Sequence, residues 1–327
     1  MAGQGEVVLR VEDLRTEIST RDGRFYPVNG VSFELRRGEI LGIVGESGSG
    51  KSMTCLSIMR LLPGKHVTIR GGKAILNGQD LIALSDKEMR SVRGSRIAMV
   101  LQEPLTSLDP VYTIGEQLAE PIRQHKRPPR RTVMELACKA LKAVHIPAPE
   151  ERLRAYPHQM SGGMRQRVVT AMALSCEPDV LIADEPTTAL DVTIQAQILR
   201  LFDEIRREGR VGMLLITHDF GIVAQICQRV AVMYGGRIVE MGSVHTIFDA
   251  PRHPYTSALI KSVPTINPGA SRLTTIEGQP PNLLEATRGC AFAPRCPRAL
   301  DRCREAEPPE TKEADHAYRC WNPENAE

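Results

Sequence analysis

The stretch Gly45-Glu46-Ser47-Gly48-Ser49-Gly50-Lys51-Ser52 decides the fold, because it carries the spacing GxxxxGK[ST] of a phosphate-binding loop. The motif has this meaning only between a buried strand and a helix. The apolar run at residues 39–45 predicts the strand, and the spacing of apolar residues over 51–62 predicts the helix. A glycine-rich turn that binds no ligand is the alternative, and the flanking elements argue against it.

The residue types in this stretch suit a bound phosphate chain. Glycines allow the backbone N–H groups to turn toward one point, and with the N-terminus of the following helix they create an anion site. We expect Lys51 to reach the β and γ phosphates and Ser52 to give its hydroxyl to Mg²⁺. The motif predicts a nucleoside triphosphatase, and it does not say what the released energy drives.

Short apolar runs alternate with helical patterns before residue 251. The other predicted strands are residues 97–101, 180–183 and 213–217, and the other predicted helices are residues 131–144 and 194–207. Residues 230–234 and 237–240 flank Gly235-Gly236 and predict a hairpin. This alternation is typical of an α/β domain with a largely parallel sheet.

Composition limits the function classes. The chain has 327 residues, enough for one large domain with a smaller appendage, and its net charge of +3 is too small to indicate a nucleic-acid partner. Only 4% of the residues are aromatic, which argues against a surface that stacks bases. The sequence has no apolar run of about 18 residues and no secretory signal, so we expect a soluble or peripheral protein.

Two adjacent carboxylates end the apolar run that follows Asp179. Asp184 and Glu185 lie where an open α/β sheet holds its ligands. Because successive side chains on a strand point in opposite directions, the two carboxylates should have separate roles. We expect Asp184 to organise Mg²⁺ through its water shell and Glu185 to polarise the attacking water. Two solvated acids in a loop are the alternative.

Further motifs resemble those of the ABC ATPases. Ser161-Gly162-Gly163-Met164 resembles the signature sequence LSGGQ, with Met160 in place of leucine and Met164 in place of glutamine. Both departures are mild, because the serine hydroxyl and the glycine amides make the phosphate contacts. The other matching positions are Phe25 for the aromatic that stacks on adenine (with Tyr26 as runner-up), Gln102 for the Q-loop, Asp191 for the D-loop and His218 for the switch histidine.

This resemblance implies an α/β fold of the P-loop NTPase type, with a RecA-like core, a helical signature subdomain at about residues 104–175 and a small irregular C-terminal extension. It implies ATP and Mg²⁺ as cofactors, with Mg²⁺ held through Ser52, Gln102 and Asp184. Glu185 and His218 would be the catalytic residues. Such ATPases act as head-to-tail dimers, so residues 161–164 would contact the ATP held by the partner's phosphate loop.

The resemblance is closest to the D-type ATPase subunits of dipeptide, oligopeptide and nickel importers. Residues 156–159 (YPHQ), 184–197 (DEPTTALDVTIQAQ) and 251–256 (PRHPYT) carry it. It implies ATP-driven import, with peptides as the first cargo and nickel or another solute as alternatives. A non-transport ABC ATPase is the alternative class.

The same resemblance implies the partners. They are a paralogous second ATPase subunit in a heterodimer, two transmembrane permease subunits and an extracytoplasmic substrate-binding protein, with no nucleic acid. The implied location is peripheral, on the cytoplasmic face of the cell (inner) membrane.

Prolines crowd the last quarter of the sequence and oppose long helices there. We predict an ATPase domain at residues 1–255 and a loop-rich C-terminal extension at residues 256–327, which is too small for a good core without a staple. The extension contains four cysteines without the CxxC spacing of common zinc sites, namely Cys290, Cys296, Cys303 and Cys320.

Four thiolates could hold a [4Fe–4S] cluster, with Pro297 after one ligand, or they could hold zinc or stay unligated. The resemblance favours the [4Fe–4S] cluster, since members of the family carry one in this extension. The cysteines would then act as a structural staple or as a redox sensor for the ATPase.

Overall fold

The computed structural model describes residues 5–101, 107–188, 191–262, 276–284 and 288–325. The chain divides into two compact units. The first comprises Met1–Val8, Leu35–Glu39 and Ala83–Leu215, and the second comprises Leu9–Glu34, Ile40–Ile82 and Ile216–Glu327. None of the helices in the described ranges is both long enough and apolar enough to span a membrane.

A sheet with parallel and antiparallel pairs lies in the second unit. In sheet order its strands are β11 (Thr311–Glu313), β12 (His316–Tyr318), β10 (Arg237–Ser243), β9 (Arg229–Tyr234) and β3 (Ile40–Val44). β3 and β9 are parallel, with Leu41 opposite Arg229, and all five residues of β3 are buried. A strand buried on both faces gives a continuous apolar run, which is why β3 can be predicted from the sequence.

The predicted hairpin at Gly235-Gly236 is confirmed. The two glycines connect β9 to β10, which are antiparallel, and both have positive φ, at 56° and 81°. A two-residue connection that follows the twist of its strands requires positive φ at both positions, and glycine adopts it without a Cβ penalty. The strands β12 and β11 then extend the sheet outward from β10.

A second, antiparallel sheet contains the first strands of the chain. Its order is β2 (Arg24–Arg36), β1 (Val7–Ser19), β4 (Val67–Leu76) and β5 (Gln79–Asp80). These strands are not predicted from the sequence. The pairing of β1 with β4 shifts register between Glu12 and Arg15, so the alternation of apolar and polar residues is interrupted within the strand.

Strands and helices of the first unit follow the predicted pattern. The strands are β6 (Ile97–Val100), β7 (Val180–Asp184) and β8 (Gly212–Thr217), with β7 between the other two and parallel to β6. The helices are α2 (Asp86–Val92), α3 (Ile114–His125), α4 (Arg130–Ala143), α5 (Pro149–Arg152), α6 (Gly162–Leu174) and α7 (Val192–Arg207). The predictions at residues 131–144 and 194–207 are confirmed as α4 and α7.

The helices of the second unit have between five and nine residues. They are α1 (Lys51–Ile58), α8 (Phe220–Ile226), α9 (Val244–Asp249), α10 (Pro254–Ser262) and α11 (Asp301–Glu305). The predicted helix over 51–62 is too long. It ends at Ile58 because Arg60 has a φ of 51°, outside the helical region.

A buried carboxylate connects the C-terminal strands to β10. Glu240 on β10 is fully buried, and its carboxylate accepts hydrogen bonds from the backbone N–H groups of Arg252 (2.6 Å) and His253 (2.9 Å). His316 on β12 places Nε2 2.7 Å from Glu240 Oε1. A buried carboxylate is tolerated only when hydrogen bonds replace its water shell, and these three donors do so.

We predict that Glu240→Gln lowers the free energy of unfolding by about 2–4 kcal/mol, because an amide cannot accept from all three donors and leaves buried N–H groups unsatisfied. Chemical denaturation of the purified chain measures the change. Glu34→Gln is the matched control, since Glu34 pairs with Arg10 at 2.8 Å but both side chains are exposed, so the loss should stay below about 1 kcal/mol. Equal losses of unfolding free energy in the two variants would contradict the role of Glu240 as a buried acceptor for three donors.

Candidate nucleotide-binding site

The phosphate-binding loop lies between β3 and α1, in the context that the sequence predicts. Two of its glycines are required by a close approach of other backbone. A Cβ on Gly45 would lie 2.2 Å from the carbonyl oxygen of Met233, and a Cβ on Gly50 would lie 2.0 Å from that of Pro27. Both glycines also have positive φ, at 154° and 104°. The loop therefore packs directly against the backbone around it.

Lys51 is buried at the start of α1 and points into the loop. Its ammonium group donates to the carbonyl oxygens of Gly45 at 2.7 Å and Glu46 at 2.9 Å. These bonds hold the positive charge at the centre of the turn. Ser52 follows in the first turn of α1 and is exposed.

A cavity of about 330 Å³ opens over the loop. Its lining residues are Phe25, Glu46, Ser47, Gly48, Ser49, Tyr234, Gly235, Pro280, Pro281, Asn282, Leu283 and Leu284. Phe25, the predicted adenine-stacking residue, thus shares a cavity with the loop. The runner-up, Tyr26, donates its hydroxyl to Glu17 at 2.8 Å and lines the neighbouring cavity.

The wall formed by residues 280–284 is not predicted from the sequence. Two prolines and an asparagine give no local signal for contact with a loop more than 200 residues earlier. Only the structure shows that residues 280–284 lie beside the phosphate-binding loop.

Two side chains from the C-terminal quarter contact Glu46 in the loop. The backbone N–H of Glu46 donates to the hydroxyl of Tyr255 at 2.9 Å, and the carboxylate of Glu46 pairs with the guanidinium of Arg295. Burial raises the pKa of Tyr255, and hydrogen bonds to Glu46 raise the pKa of Arg295. Neither contact is predicted from the sequence.

The predicted acidic pair lies in the first unit. Asp184 is the last residue of β7 and is buried. Glu185 follows it with a φ of 46°, in the left-handed region that residues other than glycine seldom occupy. Thr188 donates its hydroxyl to Glu185 Oε2 at 3.0 Å and its N–H to the Glu185 carbonyl at 3.2 Å. The turn after β7 therefore fixes the direction of the Glu185 side chain.

The predicted signature residues begin α6. Ser161 is the N-cap, and its hydroxyl accepts a hydrogen bond from the N–H of Met164 at 3.3 Å. Ser161 and Gly162 are exposed. Gly163 is buried, and a Cβ there would lie 2.6 Å from Cγ2 of Ile194 on α7, so glycine is needed for close helix packing. The exposed N-terminus of α6 is available to an anion.

The remaining predicted site residues are Asp191, His218 and Gln102. Asp191 caps α7, accepting from the N–H of Ile194 at 2.9 Å, and His218 is exposed immediately after β8. Gln102 lies outside the described residues, as do Ala189 and Leu190 of the D-loop segment.

The four C-terminal cysteines line one small cavity in the second unit. Burial raises the pKa of Cys290 to about 11 and that of Cys320 to about 12, with smaller contributions from the other thiols of the set. Within the described ranges, no group of three or more His, Cys, Asp or Glu side chains is arranged to hold a metal ion.

Comparison with known proteins gives matches over nearly the whole chain. Residues 28–188 match the model of the ABC transporter family, and residues 239–303 match that of the oligopeptide/dipeptide transporter C-terminal region. The chain is 50% identical to the dipeptide transport ATP-binding protein DppD of Bacillus subtilis (strain 168) over 317 residues, which cover 97% of this chain and 95% of that protein. It is 46% identical to the oligopeptide transport ATP-binding protein OppD of Salmonella typhimurium, over 97% of this chain and 94% of that protein.

Solved structures are similar as well. The dimeric, post-hydrolysis structure of the ATP-binding cassette MJ0796 with ADP and Pi gives a TM-score of 0.64 at 25% identity, over 72% of this chain and 98% of that chain. The structure of cbiO1 from Clostridium perfringens, part of the ABC transporter complex cbiONQ, gives a TM-score of 0.63 at 27% identity, over 75% and 91%.

We predict that Gly50→Ala lowers the affinity for nucleotide about 100-fold or more, because the new Cβ displaces the loop from the Pro27 carbonyl. Gly78→Ala is the matched control. Its φ of 83° is also positive, but nothing lies within 4 Å of the added Cβ, so it should cost about 1–2 kcal/mol of stability without changing affinity. Isothermal titration with an ATP analogue measures both variants, and an unchanged affinity in Gly50→Ala would contradict the prediction.

Proposed function

Because the chain belongs to the ABC transporter family, in the group that carries the oligopeptide/dipeptide transporter C-terminal region, we propose that it is the ATP-hydrolysing subunit of an importer of dipeptides or oligopeptides. The observation that carries the proposal is the identity of 46–50% to peptide-transport ATP-binding proteins over almost the full chain, including the C-terminal quarter. The proposed domains are an ATPase domain at 1–255 and the extension at 256–327.

The proposed reaction is phosphoryl transfer from ATP to water. The loop amides and Lys51 bind the phosphates, and Phe25 stacks on adenine. Glu185 takes the proton of the attacking water while that water forms its bond to the γ-phosphorus and the bond to the ADP oxygen breaks. His218 contacts the γ-phosphate.

Magnesium would be held through Ser52, Gln102 and Asp184, whose hydroxyl, amide and carboxylate oxygens are the hard donors that this ion prefers. When bound, it neutralises charge on the phosphate oxygens. The exposed position of Ser52 in the first turn of α1 and the position of Asp184 at the end of β7 support this set.

A second copy of the cassette fold completes the proposed site. The exposed N-terminus of α6, with Ser161, Gly162, Gly163 and Met164, would contact the ATP held by a partner cassette, and Asp191 would lie at the same interface. The partner is a paralogous ATPase subunit. Two permease subunits and an extracytoplasmic binding protein complete the importer, and this chain lies peripherally on the cytoplasmic face of the membrane.

We predict that Glu185→Gln reduces ATP hydrolysis by this subunit about 100-fold or more while ATP binding is kept, because an amide cannot accept the proton of the water. The measurement uses the complex assembled with its partner cassette and permease subunits, and it follows ATP turnover and peptide uptake together.

Glu177→Gln is the matched control. Glu177 also has a positive φ, at 56°, but its carboxylate pairs with Lys126 at 2.9 Å, so its loss should leave turnover unchanged. Turnover near the wild-type rate in Glu185→Gln would contradict the proposed base and would assign hydrolysis to the paralogous subunit. Uptake of nickel in place of peptides would overturn the proposed cargo.

The four cysteines of the extension are proposed to ligate a [4Fe–4S] cluster. Their shared cavity and their number support it, since four thiolates are the usual ligand set of such a cluster. A ligand set of this kind would also act as a staple for a proline-rich segment with a small core.

We predict that the chain purified without oxygen contains about four iron and four sulfide ions per molecule, and that Cys303→Ser loses them. Cys138→Ser is the control, because this cysteine lies in α4 and donates to Glu150. One zinc ion per chain, without iron, would show that the cysteines form a zinc site and not a cluster. If neither metal is found, the four thiols are unligated.

A further inference from the structure

Arg295 forms a two-point ion pair with the phosphate-binding loop. Its Nη1 lies 2.7 Å from Glu46 Oε2, and its Nη2 lies 3.0 Å from Glu46 Oε1. The planar guanidinium therefore faces the carboxylate with two parallel hydrogen bonds, the strongest geometry for this pair. The side chain of Arg295 is only 5% exposed, and Arg295 is not among the residues that line the cavity.

Other contacts fix the guanidinium in this position. Nε donates to the carbonyl oxygen of Glu277 at 2.9 Å, and Nη2 also donates to that of Ile276 at 3.2 Å. Nη1 lies 3.3 Å from the hydroxyl of Tyr234, and the ring centroids of Tyr234 and Phe292 lie 5.9 Å from the guanidinium carbon. Because each bond restricts rotation, the positive charge is held rigidly.

Glu46, the other partner of this pair, is one of the residues that line the cavity. Its side chain is 25% exposed and lines the cavity together with Ser47, Gly48 and Ser49. An uncompensated carboxylate in this wall would repel a triphosphate, and the repulsion would be strong because the surroundings are partly desolvated. The loop therefore needs a fixed counter-charge.

We propose that Arg295 is a positioning residue of the nucleotide site, which neutralises the carboxylate of Glu46, so that the C-terminal extension sets the affinity for nucleoside triphosphate. The inference takes nucleotide binding by this loop from the proposed function. Arg295 does not contact the nucleotide; it acts through the carboxylate of Glu46.

If Arg295 acts by neutralising Glu46, each substitution should change the affinity for the ATP analogue in a defined direction. Arg295→Ala leaves Glu46 as an unpaired negative charge and should weaken ATP-analogue binding about tenfold. Glu46→Gln removes the negative charge and should not weaken binding. The double variant should bind within about threefold of wild type, because the repulsion is absent when both charges are removed.

A purely structural brace predicts another pattern. Loss of either partner would then weaken binding, and the double variant would be no better than Arg295→Ala. The charge of the ligand is a second discriminator, since repulsion from Glu46 should reduce the affinity for an ATP analogue more than that for ADP and leave adenosine unaffected.

The experiment is equilibrium titration of the full chain with a non-hydrolysable ATP analogue, ADP and adenosine, for wild type and the variants. Arg295→Lys keeps the charge without the paired geometry and should bind within about threefold of wild type. Arg302→Ala is the matched control, since this arginine stacks on Trp321 at 3.5 Å in the same extension and should change no affinity. In the assembled complex, Arg295→Ala should raise KM for ATP more than it lowers kcat.

The proposal is overturned if Arg295→Ala binds the analogue like wild type, or if Glu46→Gln does not restore the loss. If Arg295→Ala does not fold, Glu46→Gln and Arg295→Lys test the proposal in its place. Weaker binding of the analogue by Glu46→Gln, or a tenfold loss of affinity in Arg295→Lys, then overturns the proposal. Failure of the wild-type chain to bind any nucleotide would instead contradict the proposed function, which keeps the two failures distinct.

Discussion

The close approach of backbone to the phosphate-binding loop is the constraint on which the second unit depends. Carbonyl groups of Met233 and Pro27 lie where a Cβ of Gly45 or Gly50 would be. Because the loop is packed from outside in this way, its backbone cannot shift toward either carbonyl group. Glycine at these two positions therefore allows β3 and α1 to meet in a tight turn whose outer side is filled by other backbone.

Carboxylates with fixed partners attach the C-terminal extension to this loop and its sheet. Glu240 accepts hydrogen bonds from the backbone N–H groups of Arg252 and His253 and from the ring of His316. Glu46 forms an ion pair with Arg295. A segment with a small apolar core gains little from burial alone, so hydrogen bonds to buried charges decide where it docks. Glu240 lies on β10 and Glu46 lies in the phosphate-binding loop, so the extension is attached to both elements.

Local sequence patterns predict the elements that are buried on both faces and those with special turn residues. The family matches confirm the ABC ATPase assignment and the fold class, both of which follow from the motifs at residues 45–52 and 161–164. The antiparallel sheet is not predictable in the same way, because the register shift in β1 breaks the period that marks a strand. The Arg295–Glu46 pair is beyond local reasoning altogether, since it joins positions 249 residues apart.

Positive φ at a glutamate is not by itself a sign of catalysis in this chain. Glu177 and Glu185 both adopt it, at 56° and 46°. Glu177 precedes β7 and pairs with Lys126 on the surface, so its conformation serves only a turn. Glu185 follows the buried strand β7, and Thr188 orients its carboxylate through a hydroxyl donor. Strain of about 1–2 kcal/mol at such a position is kept because the strand before it and the turn after it leave the side chain one direction, which suits the role proposed for Glu185 as the base for water.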